Sequence, residues 1–312
     1  MVFSCHSYSG WYNSPRTMKF YIVTPTFNAL GWLQRCVRSV ADQVAEGVQV
    51  HHHVQDGASK DDSADWLREW QAAHANTPGY VFTFESSKDA GMYDAINLAW
   101  SKMPSDADVT AHLNSDEQYL PGALKGVAEA FLSHPEADVA LGTYIIVDAE
   151  SRYICHRRPI MPHKWTSRTV CEIITCSCFH RAEPFVRHNI RFDTRWRAIA
   201  DVAFYRDLVN DSPRFLVLPE LITGTFTVTG SNLAWTETSR HEWAELCSVL
   251  PWYVSKRHGF AYRWCNLKRR LRDFFCTSPR SYALFMPGEE QRTSISIKHP
   301  TPHWGCRVQG ES

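Results

Sequence analysis

The chain lacks the loops by which many nucleotide-binding sheets hold phosphate. Neither G-x-G-x-x-G nor G-x-x-x-x-G-K-S/T occurs in its 312 residues, which disfavours a dinucleotide enzyme or a P-loop NTPase. Net charge is also missing: 33 Lys and Arg offset 33 Asp and Glu, so no global basic field draws the chain to nucleic acid. There are ten cysteines but no C-x-x-C pair. Cys171, Cys176 and Cys178 lie in an apolar stretch with no converging Cys/His set, and read as buried thiols of a reducing cytoplasm. No run of about 18 apolar residues is present, so no spanning helix is expected. Residues 1–19 have no apolar core segment, so no secretory leader is expected. No internal repeat is visible.

What remains is a well-supplied globular composition, 44% hydrophobic and 13% aromatic, which excludes wholesale disorder. The length suits one large α/β domain with an appendage, or two modest domains. Residues 1–17, rich in Ser, Tyr and Gly, differ from the rest of the chain; residues 1–18 are expected to form a disordered extension, with Met18 the functional start. Phe20–Thr24 is a buried strand, and Leu33, Cys36, Val37 and Val40 recur at helical spacing after it. Val48–Val54, Tyr80–Phe84, Val109–Leu113 and Val139–Val147 read as further strands. Helices fall between them, carrying Trp66–Trp70, Met92–Trp100 and Leu120–Leu132. This alternation implies a doubly wound, mostly parallel sheet flanked by helices. Later segments read as a helix over Ala200–Leu208, strands at Phe215–Leu218 and Thr223–Val228, a helical extension over 237–287, and a poorly ordered polar tail over 288–312.

Ligands of such sheets sit at the strand ends. Four consecutive ends carry polar signatures: Thr26-Phe27-Asn28, Asp56-Gly57, Glu85 through Asp94, and Ser115-Asp116-Glu117. Without a glycine-rich cradle, a diphosphate needs a divalent metal on carboxylates, and Asp116 and Glu117 could hold Mg²⁺ or Mn²⁺. Taken alone, the same residues are equally an acidic turn before a helix.

Together these motifs resemble family 2 glycosyltransferases of the GT-A fold, especially bacterial polysaccharide-biosynthesis members. The resemblance runs over roughly residues 19–232, within an expected catalytic domain of 19–236. It rests on Ile22-Val23-Thr24-Pro25-Thr26-Phe27-Asn28, Asp56-Gly57-Ala58-Ser59, Asp89-Ala90-Gly91-Met92-Tyr93-Asp94-Ala95-Ile96-Asn97, Asn114-Ser115-Asp116-Glu117 and Ala200-Asp201. It implies an inverting transfer from a nucleoside-diphosphate sugar, UDP-linked, to a glycan or lipid-linked acceptor. Thr26, Asn28, Asp56, Glu85, Asp89 and Asp94 would surround the nucleotide. Asp116 and Glu117 would hold the metal. Asp201 would be the catalytic base; without the resemblance it is an acid in the first turn of a helix.

Two departures stand out. The family often has two aspartates where Asp116-Glu117 stands, and a His-Gln pair where Ile174-Thr175 falls. Gly224 and Gly230-Ser231 resemble the family's turn after the base. His51-His52-His53 alternates faces along a strand, so the three cannot converge on one ion. The segment 256–280 interleaves Lys and Arg with Trp264, Leu267, Leu271, Phe274 and Phe275. It reads either as a basic amphipathic helix on an anionic membrane, making the protein peripheral on the inner face, or as a helix packed on the main domain with its basic face in water. A nucleotidyltransferase and a non-catalytic nucleotide-sugar-binding homologue remain as alternatives.

Overall fold

The computed structural model describes residues 16–302 apart from 231, 256 and 257. Most of the extension expected before Met18 therefore lies outside the described residues, as do Ser231, Lys256 and Arg257. In chain order the elements are β1 (Met18–Thr26), α1 (Leu30–Ala41), β2 (Val48–Asp56), α2 (Ser63–Ala73), β3 (Tyr80–Ser86), α3 (Met92–Trp100) and β4 (Val109–His112). Next come β5 (Gln118–Tyr119), α4 (Ala123–Ser133), β6 (Val139–Asp148), β7 (Tyr153–Arg157), α5 (Lys164–Ser167), β8 (Cys178–Arg181) and α6 (Ala182–Arg187). The chain continues with α7 (Ala200–Asn210), β9 (Phe215–Val228), α8 (Glu237–Ser248), α9 (Trp252–Ser255), α10 (His258–Phe275), β10 (Ser281–Phe285) and β11 (Arg292–Ser296).

The main sheet runs β3-β2-β1-β4-β8-β6-β9-β5, with β7 paired to β6. The first four strands are parallel. β8 is antiparallel to both β4 and β6, and β6 and β9 are parallel to each other. The pleat divides β1 between two cores. Phe20 and Ile22 join Leu33, Val37 and Leu67 on one face, while Tyr21 and Val23 join Ile96, Trp100 and Phe204 on the other. Helices thus cover both faces, as parallel strands buried on two sides require.

The sequence underestimates the second half of the sheet. β8 is four residues of the cysteine-rich stretch, and β5 only two, too short to show a period. The strands expected on either side of Pro219-Glu220 are one strand, β9. Its pairing with β6 slips register around Thr143, where Gly142 lets Thr223 approach: a Cβ at Gly142 would lie 2.3 Å from Thr223 Cγ2. The segment beyond Pro287, expected to be poorly ordered, instead supplies β11, and the helical stretch ends at Phe275 rather than 287. The hairpin β10–β11 is tied down because Phe285 N–H donates to Gln118 Oε1 (2.9 Å) and Arg292 donates to Asp42 (2.8 Å). Tyr282 and Leu284 pack with Leu120, Ile145 and Val147.

Candidate active site

The ends of β1 and β2 lock together. Asn28 adopts a left-handed backbone (φ 49°), which asparagine tolerates better than most residues. Its N–H donates to Ser59 Oγ (2.8 Å), and its Oδ1 accepts from Lys60 N–H (2.7 Å). Asp61 accepts from Leu30 N–H (3.1 Å), so the first turn of α1 is capped from the neighbouring loop rather than by Ala29. Asp56 is fully buried and accepts from Ser59 N–H (3.1 Å) and from Ser86 Oγ–H. The Asp89 side chain closes over Gly57, where a Cβ would stand 2.8 Å from Asp89 Oδ2. Asp56 and Asp89 therefore lie side by side, and burial raises the Asp89 pKa, with Asp94 and Asp56 adding to the effect. Asp89 also accepts from Gly91 N–H (2.9 Å) and Asp94 from Ala90 N–H (2.9 Å), shaping the turn into α3. Glu85 differs from this group. It is exposed, pairs with Lys102 and accepts from Ser87 Oγ (3.0 Å). The hydroxyl of Thr26 is buried with no hydrogen-bond partner among the described residues, an acceptor and donor left for a ligand.

The two acids after β4 face different ways. Asp116 lines a cavity of about 780 Å³ together with Asn28, Asn114 and Asp201. Burial raises its pKa to about 6, and the charge of Arg35 partly opposes the rise. Arg35 is itself buried against the Trp32 ring, 3.8 Å from its centroid. Glu117 turns inward instead. Its carboxylate accepts from Thr175 Oγ1 (2.8 and 3.0 Å) and from Asn114 N–H (3.0 Å). It does not line the cavity, which corrects its expected place beside Asp116 as a metal ligand. Thr175, at the other unusual position, receives the Glu117 carboxyl group.

A hard cation fits this end of the cavity only in part. Among the described residues no three His, Cys, Asp or Glu side chains converge for a metal ion. The Asp116 carboxylate takes no hydrogen bond from another residue's side chain there, and Asn114 Oδ1 is buried without a partner. Two oxygen donors with open positions suit an ion that also takes phosphate oxygens.

Across the cavity, α7 presents Asp201 from its first turn. Tyr93 Oη–H (3.0 Å) and Val202 N–H (2.9 Å) both donate to Asp201 Oδ1. Burial raises the Asp201 pKa, while these donors hold it down. Tyr93 thus links the Asp89–Asp94 turn to α7. The remaining wall carries residues that the sequence did not single out: Trp32 from α1, and Ser239, Arg240 and Trp243 from α8. The exposed Arg240 makes no ion pair among the described residues. Only its charge in a lining shared with Asp116 and Asp201 marks it, and that needs the fold. Glu242 meanwhile caps the approach to α7, accepting from Arg197 and Ala198 N–H (2.7 and 2.9 Å). The three histidines are structural: His52 bonds Thr24 (2.9 Å), while His51 and His53 share Thr83 (3.0 and 2.8 Å).

A parallel strand-end cleft with acids lining it is the architecture of the GT-A fold. More narrowly, the chain belongs to glycosyl transferase family 2, whose model matches residues 21–183. Two uncharacterized glycosyltransferases of Mycobacterium tuberculosis, Rv1514c and MT1564, are each 38% identical over 76 residues. That match spans 24% of this chain and 26% of each relative. Among solved structures, S. aureus TarS 1-349 in complex with UDP is 17% identical with a TM-score of 0.55, covering 74% of this chain and 65% of that one. The mannosyltransferase PcManGT from Pyrobaculum calidifontis, in complex with GDP-Man and Mn²⁺, is 15% identical with a TM-score of 0.54, covering 84% and 74%. At these identities the likeness is one of fold.

Proposed function

We propose that the chain is an inverting, metal-dependent glycosyltransferase using a UDP-sugar donor and a glycan or lipid-linked acceptor of surface-polysaccharide assembly. The observation that carries this reading is the facing of Asp116 and Asp201 across one cavity, neither in an ion pair among the described residues. The nucleotide is assigned to Thr26, Asn28, Asp56, Asp89 and Asp94, of which Asn28 lines the cavity. Asp56 accepts a base N–H there, and the unpaired Thr26 hydroxyl takes a second polar contact. Glu85 stands apart from these acids, paired with Lys102.

Asp201 is the base. Its Oδ1 is occupied by Tyr93 and Val202, which leaves Oδ2 for the acceptor hydroxyl. As that oxygen attacks the anomeric carbon, its proton passes to Oδ2 and the bond to the diphosphate breaks on the opposite face. The configuration inverts because one displacement occurs. A divalent cation held by Asp116, with Asn114 beside it, would supply charge stabilisation for the diphosphate. Arg240 adds a second positive charge from α8, and Trp243 offers an aromatic face for a sugar.

A thermal-shift screen of UDP, GDP and UDP-sugars, with and without Mn²⁺, tests the donor assignment. Metal-dependent stabilisation by UDP is expected. Stabilisation by GDP alone would replace the donor, and stabilisation by no nucleotide would overturn the site.

A further inference from the structure

The last long helix is mounted inside out. Along α10, Phe260, Trp264, Leu267, Leu271 and Phe274 recur every three or four residues, and every one is exposed. Phe274 and Phe275 are 83% and 81% exposed, more than any other apolar side chains here. The opposite face carries Ala261, Cys265 and Arg269, all buried. An amphipathic helix of a water-facing domain shows the reverse arrangement.

Polar contacts fix this rotation. Cys265 Sγ–H donates to the buried Glu172 (2.6 Å), and Arg157 donates to Asn266 (3.4 Å). Asp273 accepts from Arg158 (3.0 Å) and lies 2.5 Å from His156. Arg269 is only 5% exposed, within the field of Glu172. Turning the apolar stripe inward would break all of these, so the protein holds it outward.

The stripe has basic flanks. Arg263 and Arg270 lie along one edge, both exposed, and Lys268 lies along the other, 5.6 Å above the Trp264 ring. None of the three forms an ion pair among the described residues. Trp165 of α5, 43% exposed, widens the apolar strip beside Phe260, with ring centroids 6.1 Å apart. The chain as a whole is neutral, so this local excess of positive charge is a property of the patch. An apolar strip between cations matches a bilayer surface, whose acyl boundary takes the rings while its anionic headgroups take the charges.

We propose that α10 docks the enzyme on an anionic membrane leaflet, lying in the plane of the interface. Among the described residues no helix is long and apolar enough to span a membrane, and the docking is accordingly peripheral. This surface is separate from the strand-end cavity, and the proposal does not depend on the donor assignment.

Co-sedimentation of the full chain with vesicles tests it. Phosphatidylcholine vesicles containing phosphatidylglycerol should pellet the protein, and pure phosphatidylcholine vesicles should not. The double variant Leu271→Ser/Phe274→Ser alters exposed positions only and should keep its thermal midpoint while binding at least about tenfold more weakly. Arg263→Ala/Arg270→Ala should lose about fivefold per charge removed, and added salt should mimic it. UDP binding should be unchanged in all variants. Failure of the wild type to pellet would overturn the proposal, as would undiminished binding by the Leu271/Phe274 variant. A dimer that these substitutions convert to monomers, with no vesicle binding, would assign the stripe to a second copy of the chain instead.

Discussion

The two walls of the cavity are built differently. The wall formed by the ends of β1 to β4 is stiffened by its own loops: Asn28, in the lining, is tied to Ser59 and Lys60, and Asp56, buried outside the lining, to Ser59 and Ser86. Asp56, Asp89 and Asp94 there are hydrogen-bonded to their own loops, which suits a surface that reads one constant group, while Asp116 stands in the cavity lining without such a partner among the described residues. The other wall brings Asp201 from α7 and Arg240 and Trp243 from α8, with Arg240 in no ion pair among the described residues. On the proposed reading, that wall handles the acceptor and the reacting diphosphate. The difference teaches that binding of the nucleotide and transfer of the sugar should be separable by mutation.

The strongest test of that separation is Asp201→Asn. It keeps the hydrogen-bonding shape but removes the proposed base, so transfer should fall by about 10³-fold or more while UDP affinity stays within about threefold. A parallel loss of UDP binding would merge the two walls. Arg240→Ala should weaken UDP binding by roughly 10- to 100-fold, the range for a hydrogen bond to a charged group, while uridine binding is spared. Equal loss for uridine and UDP would place Arg240 at the base instead of the diphosphate.

How much of each wall was legible depends on how it is built. The first wall is made of short contiguous motifs at strand ends, so alternating strands and helices were enough to bring Asn28, Asp56, Asp94 and Asp116 to one edge. Asp201 was found only through family resemblance, since an acid in a first helical turn has an ordinary capping role. Arg240 and Trp243 had no signal, because their meaning comes from α8 folding back over the cleft. Glu117 illustrates a finer limit. The sequence pattern treats Asp116 and Glu117 alike, but the fold buries Glu117 against a Thr175 hydroxyl 2.8 Å away and leaves Asp116 in the cavity lining. The outward rotation of α10 was likewise undecided from the sequence, where apolar and basic residues alternate without saying which side is buried.

Thr175→Val tests the placement of Glu117. It leaves a buried carboxylate with one donor fewer, and should cost about 1–3 kcal/mol in urea unfolding without changing Mn²⁺-dependent UDP binding. Lost metal dependence at unchanged stability would return Glu117 to the metal site. A more gradual effect, spread over several pH units, concerns the sheet beneath both walls. Burial depresses His52 and His112 to a pKa of about 3, and His53 and His180 to about 4. Each has a pKa near 6.5 when unfolded, so the unfolded chain binds more protons below that pH. Stability should therefore be fully present above about pH 6.5 and decline as pH falls toward 4 and 3, by roughly 1.4 kcal/mol per pH unit for each fully neutral site. Urea midpoints that stay flat from pH 7 to pH 4 would show that these histidines are not held neutral.

The most direct test of the central claim is a calorimetric titration of UDP with Mn²⁺ into the wild type, Asp116→Asn and Asp201→Asn. The account expects saturable, Mn²⁺-dependent binding to the wild type and Asp201→Asn, and a loss of about 100-fold or more in Asp116→Asn. Equal Mn²⁺-dependent binding by all three proteins would contradict it.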